Sequence, residues 1–223
     1  PTELSIRGPE GLKMGEVQWP RPKIYRSQGD TSFGYSKETM LFVPFTVPEA
    51  FTGKTVSITI NAAWLVCKES CLFGQREWTI EVPVAKPGDV ITRRRDVKNS
   101  SFAKFLKRLP KPISQEMGLR AQVIPGKNAA GEMLRIEGPV IKNSSALFMP
   151  EHTPGVRYQG KIPFVSRVVA GSLLIEVPLE VVPGDALGKP LRAAGLIVLG
   201  MAEDSPSVTF SINIPHTQSD NKR

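Results

Sequence analysis

Cysteine is nearly absent from this chain: among 223 residues only Cys67 and Cys71 carry a thiol. Histidine is as scarce, and His152 and His216 lie far along the chain from the cysteine pair. A closed zinc site needs four ligands, so zinc is disfavoured, and His152 in its Pro- and Gly-rich loop reads as a surface residue. No apolar run approaches the roughly 18 to 20 residues that a membrane helix requires. The longest, Ala193 to Met201, is interrupted by Gly195 and Gly200, so direct membrane insertion is not expected of this chain. There is no initiator Met and no basic-then-apolar leader at Pro1, as expected of a trimmed or processed piece. The net charge of +8 is scattered, apart from Arg93-Arg94-Arg95 and the group Lys104, Lys107, Arg108 and Lys111. A solvated linker face accounts for that cluster more simply than nucleic acid does.

What is present points to strands. Hydrophobic residues make up 40% and can supply real cores, while 19 Gly, 20 Pro and only 7% aromatics indicate many turns. The expected class is all-β: two immunoglobulin-like β-sandwiches joined by a linker with one short helix. The boundaries read as a first domain over 1–86, a linker over 87–118, a second sandwich over 119–215 and a frayed tail over 216–223. In the first domain, Met40 to Val47 and Thr55 to Val66 read as strands. The second of these puts Val56, Ile58, Ile60, Ala62, Trp64 and Val66 on one face by period-two alternation. Cys67 then ends that strand, facing away from Trp64. Gly74 is expected to break the chain before a further strand through Trp78, Ile80, Val82 and Val84.

Between the domains, Ser100 or Ser101 can cap a helix with an apolar stripe of Phe102, Phe105, Leu106 and Leu109, ended by Pro110 and Pro112. A helix of about ten residues is marginal alone in water, so it should dock on a β-domain. Leu119 to Ile124, Met133 to Glu137, Ile162 to Val169, Ser172 to Val182, Gly195 to Met201 and Val208 to Ile214 read as the strands of the second sandwich. The Gly29 to Ser36 stretch is polar and Gly-containing, yet carries Phe33 and Tyr35. It reads either as a lid or as a hairpin whose aromatics tuck into a core.

Two cysteines separated by three residues at a strand end can form a redox pair, a structural disulfide or a soft-metal site. As a staple the pair is poorly placed. Closing a loop of about five residues removes only about 2 kcal/mol of unfolded-chain entropy, against about 4.7 for a loop of 100. A sandwich staple would also join the two sheets through cysteines far apart in sequence. Lys68 and Arg76 favour thiolate while Glu69 opposes it, which leaves the better nucleophile open. Copper(I) is satisfied by two thiolates, Cys67 and Cys71, with Met40 or Met149 as a further candidate ligand.

The segment Trp64-Leu65-Val66-Cys67-Lys68-Glu69-Ser70-Cys71 resembles the Trp-Leu-Val-Cys-Lys-x-x-Cys type segment of a known family. This is the periplasmic amino-terminal region of DsbD-type thiol:disulfide interchange proteins, including the ScsB-like branch linked to copper tolerance. The resemblance extends over most of the chain. Glu16 to Pro22 is similar to the family's stretch before its lid, Phe33-Gly34-Tyr35-Ser36 resembles its aromatic cap loop, and Ala146 to Pro150 resembles its apolar-aromatic-Pro segment. The resemblance implies a periplasmic thiol:disulfide oxidoreductase of the protein-disulfide reductase type, with Cys67 and Cys71 as the redox pair and Cys71 as attacker. Phe33 and Tyr35 would be the cap, and Trp64, Lys68 and Glu69 the surroundings. No cofactor beyond the disulfide is implied. The expected partners are thioredoxin-like domains, among them acceptors in disulfide isomerisation and cytochrome c maturation, and a membrane electron-transfer domain of a longer protein. The best-known members space their cysteines more widely. The other readings are a copper(I) module using the same thiolates and a structural sandwich with an inert disulfide.

Overall fold

The computed structural model describes residues 2–27, 30–67, 70–85, 101–114, 118–126, 131–140, 145–186, 188, 190–202 and 205–215. These fall into two compact units, one within 1–18 and 41–100, the other within 19–40 and 101–223. Nearly all regular structure is strand, as the composition implies. The expected tail over 216–223, including His216, and most of the expected linker lie outside the described residues.

The first unit is built on β1 (Glu3–Arg7), β6 (Thr55–Cys67) and β7 (Cys71–Pro83), an antiparallel sheet in the order β1-β6-β7. Val56, Ile58 and Ala62 are buried on one face of β6, as the alternation predicts. A two-stranded sheet pairs β2 (Lys13–Met14) with β5 (Phe45–Thr46). The strand expected over Met40 to Val47 is therefore much shorter, supplemented only by a bridge between Gln18 and Phe42. Pro44 and Pro48 supply the reason, since neither has an N–H to donate to a ladder. The Pro44 carbonyl still accepts a hydrogen bond from the Gly15 amide at 2.8 Å.

Gly74 does not break the chain. Strand β7 runs through it without interruption, and Gly74 stands opposite Trp64 in the register. A Cβ at this position would lie 2.6 Å from the indole ring, so the glycine is where Trp64 lies across the neighbouring strand.

The second unit is a two-sheet sandwich with an added hairpin. One sheet runs β12 (Val156–Tyr158), β15 (Ser172–Val181), β10 (Glu132–Pro139), β9 (Arg120–Pro125), with β14 (Arg167–Val169) also on β15. The other runs β13 (Phe164–Val165), β11 (Ala146–Pro150), β16 (Arg192–Leu199), β17 (Ser207–Asn213), β8 (Lys111–Pro112). The single strand expected over Ile162 to Val169 is thus two short ones, β13 and β14, one in each sheet. Between the sheets Leu134, Ile136, Ile175, Val177, Ile197 and Val208 are buried around Phe148. The Phe148 ring stands 5.7 Å from Tyr158, 6.0 Å from Phe164 and 5.6 Å from Phe210.

Strands β11 and β16 are buried on both faces. Their outer side chains, Leu147, Met149, Leu196 and Val198, form a second apolar cluster against which Ile24 and Phe33 pack. Those two residues belong to a hairpin of β3 (Lys23–Ser27) and β4 (Asp30–Gly34). This contact places 19–40 with the second unit, whereas the sequence reading puts it inside a first domain of 1–86. Arg21 adds to the attachment, donating from Nη1 to the Ser205 carbonyl at 3.1 Å and from Nη2 to the Ala202 carbonyl at 2.9 Å.

The helix α1 spans Ser101–Leu106, shorter than expected. Its buried residues are Ala103 and Phe105, while Phe102 and Leu106 are exposed. The expected stripe is thus wrong on two of its members, because a helix of this length turns too little to bury a wide face. It does dock, as expected of a short helix, and the Arg108 carbonyl at its end accepts a hydrogen bond from the Arg21 amide at 2.9 Å.

Candidate functional site

Every residue of β6 from Thr55 to Cys67 has a partner on β7, and the last pair of that ladder is Cys67 opposite Cys71. Their sulfurs are joined, with S–S 2.01 Å and Cα–Cα 4.1 Å. The disulfide thus bridges directly opposed residues at the tip of a long hairpin, and both cysteines are exposed. Among the described residues there is no free cysteine.

Paired residues in an antiparallel ladder project from the same face, so the disulfide shares its face with the alternate pairs behind it. Far from the tip that face is polar. Thr59 and Thr79 share a hydrogen bond at 3.1 Å, and Asn61 Nδ2 donates to Glu77 Oε2 at 3.1 Å. Next to the disulfide it turns apolar, with Leu65 opposite Phe73. Phe73 is 68% exposed and Leu65 43%, and on the other face the pair Leu72 and Val66 is exposed at 68% and 59%. Sequence reasoning passed over this collar. The signal was available, since Leu65 and Phe73 interrupt the polar phase of an otherwise regular alternation. Trp64 projects from the opposite face, over Gly74, three pairs behind the sulfurs. Lys68 and Glu69, expected to tune the thiols, lie outside the described residues.

Phe33 and Tyr35, expected as a cap, belong to the second unit. Phe33 packs on the cluster of Leu147, Met149, Leu196 and Val198. The Tyr35 hydroxyl donates to the Pro20 carbonyl at 2.6 Å. Burial pushes its pKa up to about 12, partly offset by the nearby Arg108 charge. The structure thus joins Cys67 to Cys71, sets Trp64 three pairs behind them on the other face of the same hairpin, and gives Phe33 and Tyr35 partners in the other unit. Met149, a candidate copper ligand, is buried in the apolar cluster. Among the described residues no group of three or more His, Cys, Asp or Glu side chains gathers as a metal site would. His152 is exposed, as its loop context suggests.

A disulfide carried by two strands at an exposed hairpin tip is open to attack by another protein's thiolate, which exchange requires. Residues 1–83 match the family model of the N-terminal domain of the thiol:disulfide interchange protein DsbD, whose fold is immunoglobulin-like. The match ends at Pro83, the last residue of β7, and so contains the whole disulfide hairpin. No curated protein and no solved structure matches the chain. Thiol:disulfide exchange is the chemistry this domain family implies, with thioredoxin-like proteins as its partners in general. Domains of the family are periplasmic, and among the described residues no helix is long and apolar enough to cross a membrane.

Proposed function

We propose that the Cys67–Cys71 pair relays electrons from a thioredoxin-like or membrane-borne donor to periplasmic thioredoxin-fold acceptors. The observation that carries this reading is the exposed disulfide between directly opposed residues, closing a loop that the ladder behind it already closes. Such a bond adds about 2 kcal/mol at most by loop closure, little for a staple, while both sulfurs stay within reach of another chain.

In the donor step, a donor thiolate attacks one sulfur and the other leaves as a thiolate, giving a mixed disulfide. The donor's second thiolate then attacks that mixed disulfide, leaving the donor oxidised and Cys67 and Cys71 as a dithiol. Two electrons and two protons have moved. In the acceptor step Cys71 attacks the acceptor's disulfide and Cys67 resolves the intermediate, which returns the intramolecular bond and a reduced acceptor. The order of attack follows the family resemblance.

The decisive experiment incubates the reduced protein with an oxidised thioredoxin-fold protein and follows both redox states. Exchange with a measurable equilibrium supports the relay, whereas a pair whose potential lies below about −300 mV and that exchanges with no such protein is an inert staple. Cys67→Ser should trap a mixed disulfide through Cys71. Trapping only by Cys71→Ser reverses the assignment of attacker. The covering role of Phe33 and Tyr35 rests on the resemblance of Phe33-Gly34-Tyr35-Ser36 alone. On that reading Phe33→Ala quickens reduction of the disulfide by glutathione, and an unchanged rate removes the cap.

A further inference from the structure

The second unit contains a concave site that neither cysteine lines. It is a cleft of about 220 Å³ bounded by β3, the turn after β4, and helix α1 with the residues that follow it. Three stretches far apart in sequence bring Lys23, Lys37, Lys104 and Arg108 to its walls, with Glu38 as the one carboxylate among the lining residues. Like charges gathered in this way repel one another, and a solvated surface gains nothing by collecting them in a hollow.

Two details distinguish the cleft from a chance cluster. Arg108 is fixed: its Nη2 donates to the Arg21 carbonyl at 3.1 Å and its guanidinium lies 5.9 Å from the centre of the buried Phe105 ring. Its Nε is nonetheless buried without a hydrogen-bond partner among the described residues, a state that a native fold rarely leaves unanswered. Lys37 has φ 66°, a left-handed backbone that glycine adopts freely and lysine only at a cost. The strained residue is one of the cations at the wall.

We propose that this cleft binds a small oxyanion of the phosphate class carrying two or more negative charges. Its volume is below the roughly 300–1,000 Å³ of sites for drug-sized ligands, which suits a compact anion. Lysines act on phosphate as point charges, and a guanidinium N–H offers a directed charge-assisted bond. Tyr35, also at the wall, has its hydroxyl committed to Pro20 and adds no opposing charge.

The test is calorimetric titration of the whole chain with inorganic phosphate and with pyrophosphate, in phosphate-free buffer at ionic strength held constant with sodium chloride. Saturable one-to-one binding is expected, tighter for pyrophosphate. Lys104→Gln and Lys37→Gly should each weaken it at least tenfold. Lys37→Gly also relieves the backbone, so its thermal midpoint should hold or rise, which separates lost binding from lost folding. Lys161→Gln, an exposed cation outside the lining, serves as control. Absence of saturable heat overturns the proposal, as does a loss in the control equal to that in Lys104→Gln. Cysteine chemistry enters neither outcome.

Discussion

At the scale of single residues, Gly74 and Trp64 are closely coupled in the disulfide hairpin. A methyl group at Gly74 would meet the indole at 2.6 Å, so Gly74→Ala forces the ring or the strand to move. Overpacking of this kind costs about 1–3 kcal/mol. Denaturant unfolding of the first unit, followed by Trp fluorescence, should register that loss. Tyr35 gives a pH signature. Its pKa is about 12 in the fold against 10.0 for the free side chain, so the fold favours the neutral phenol. That contribution is complete below about pH 10 and is lost as the pH rises from there through the folded value. Tyr35→Phe should flatten this part of the stability profile in chemical denaturation between about pH 10 and pH 12. An equal decline in both proteins would assign the effect to other groups. In the sequence, Gly74 reads as punctuation because glycine usually is; its role depends on the residue opposite, which only the register discloses.

At the scale of elements, the β6–β7 hairpin holds its register independently of the sulfur bond. The inner face anchors Val56, Ile58 and Ala62, and a slip by one residue would expose all of them. Reduction should therefore leave the hairpin folded and lower the first unit's stability by about 2 kcal/mol or less. Circular dichroism melts with and without a phosphine reductant check this, and loss of strand signal on reduction at room temperature would refute it. The alternation in Thr55 to Val66 made this strand readable from sequence. The Met40 to Val47 segment misleads because its apolar run suits a strand while Pro44 has no N–H to give to a ladder. Helix α1 misleads differently: the stripe assumes about ten residues, and the shorter helix buries Phe105 of that stripe together with Ala103 while Phe102 and Leu106 face out.

At the scale of the whole molecule, the second unit holds the larger core. Phe148 is fully buried among three other aromatic rings. Phe148→Ala should cost about 3–5 kcal/mol, seen as a lowered melting transition of the second unit. The double burial of β16 was visible as the longest apolar run of the chain, Ala193 to Met201. Its meaning as a strand covered on both sides was not, because one cover comes from Ile24 and Phe33, far earlier in sequence. The same distance hid the basic cleft: Lys104 and Arg108 stand together in the sequence, but Lys23 and Lys37 join them only once β3 and α1 are in place.

The attachment of 19–40 to the second unit also bears on how the chain is made. A ribosome adds roughly 5–20 residues per second, so Ile24 and Phe33 emerge on the order of ten seconds before the strands they cover. During that interval the hairpin is an apolar surface with no resting place, held between two stretches that already belong to another unit. Synthesis therefore passes through a form that is half assembled and adhesive, and a nascent chain arrested shortly after Pro83 would display that hairpin permanently.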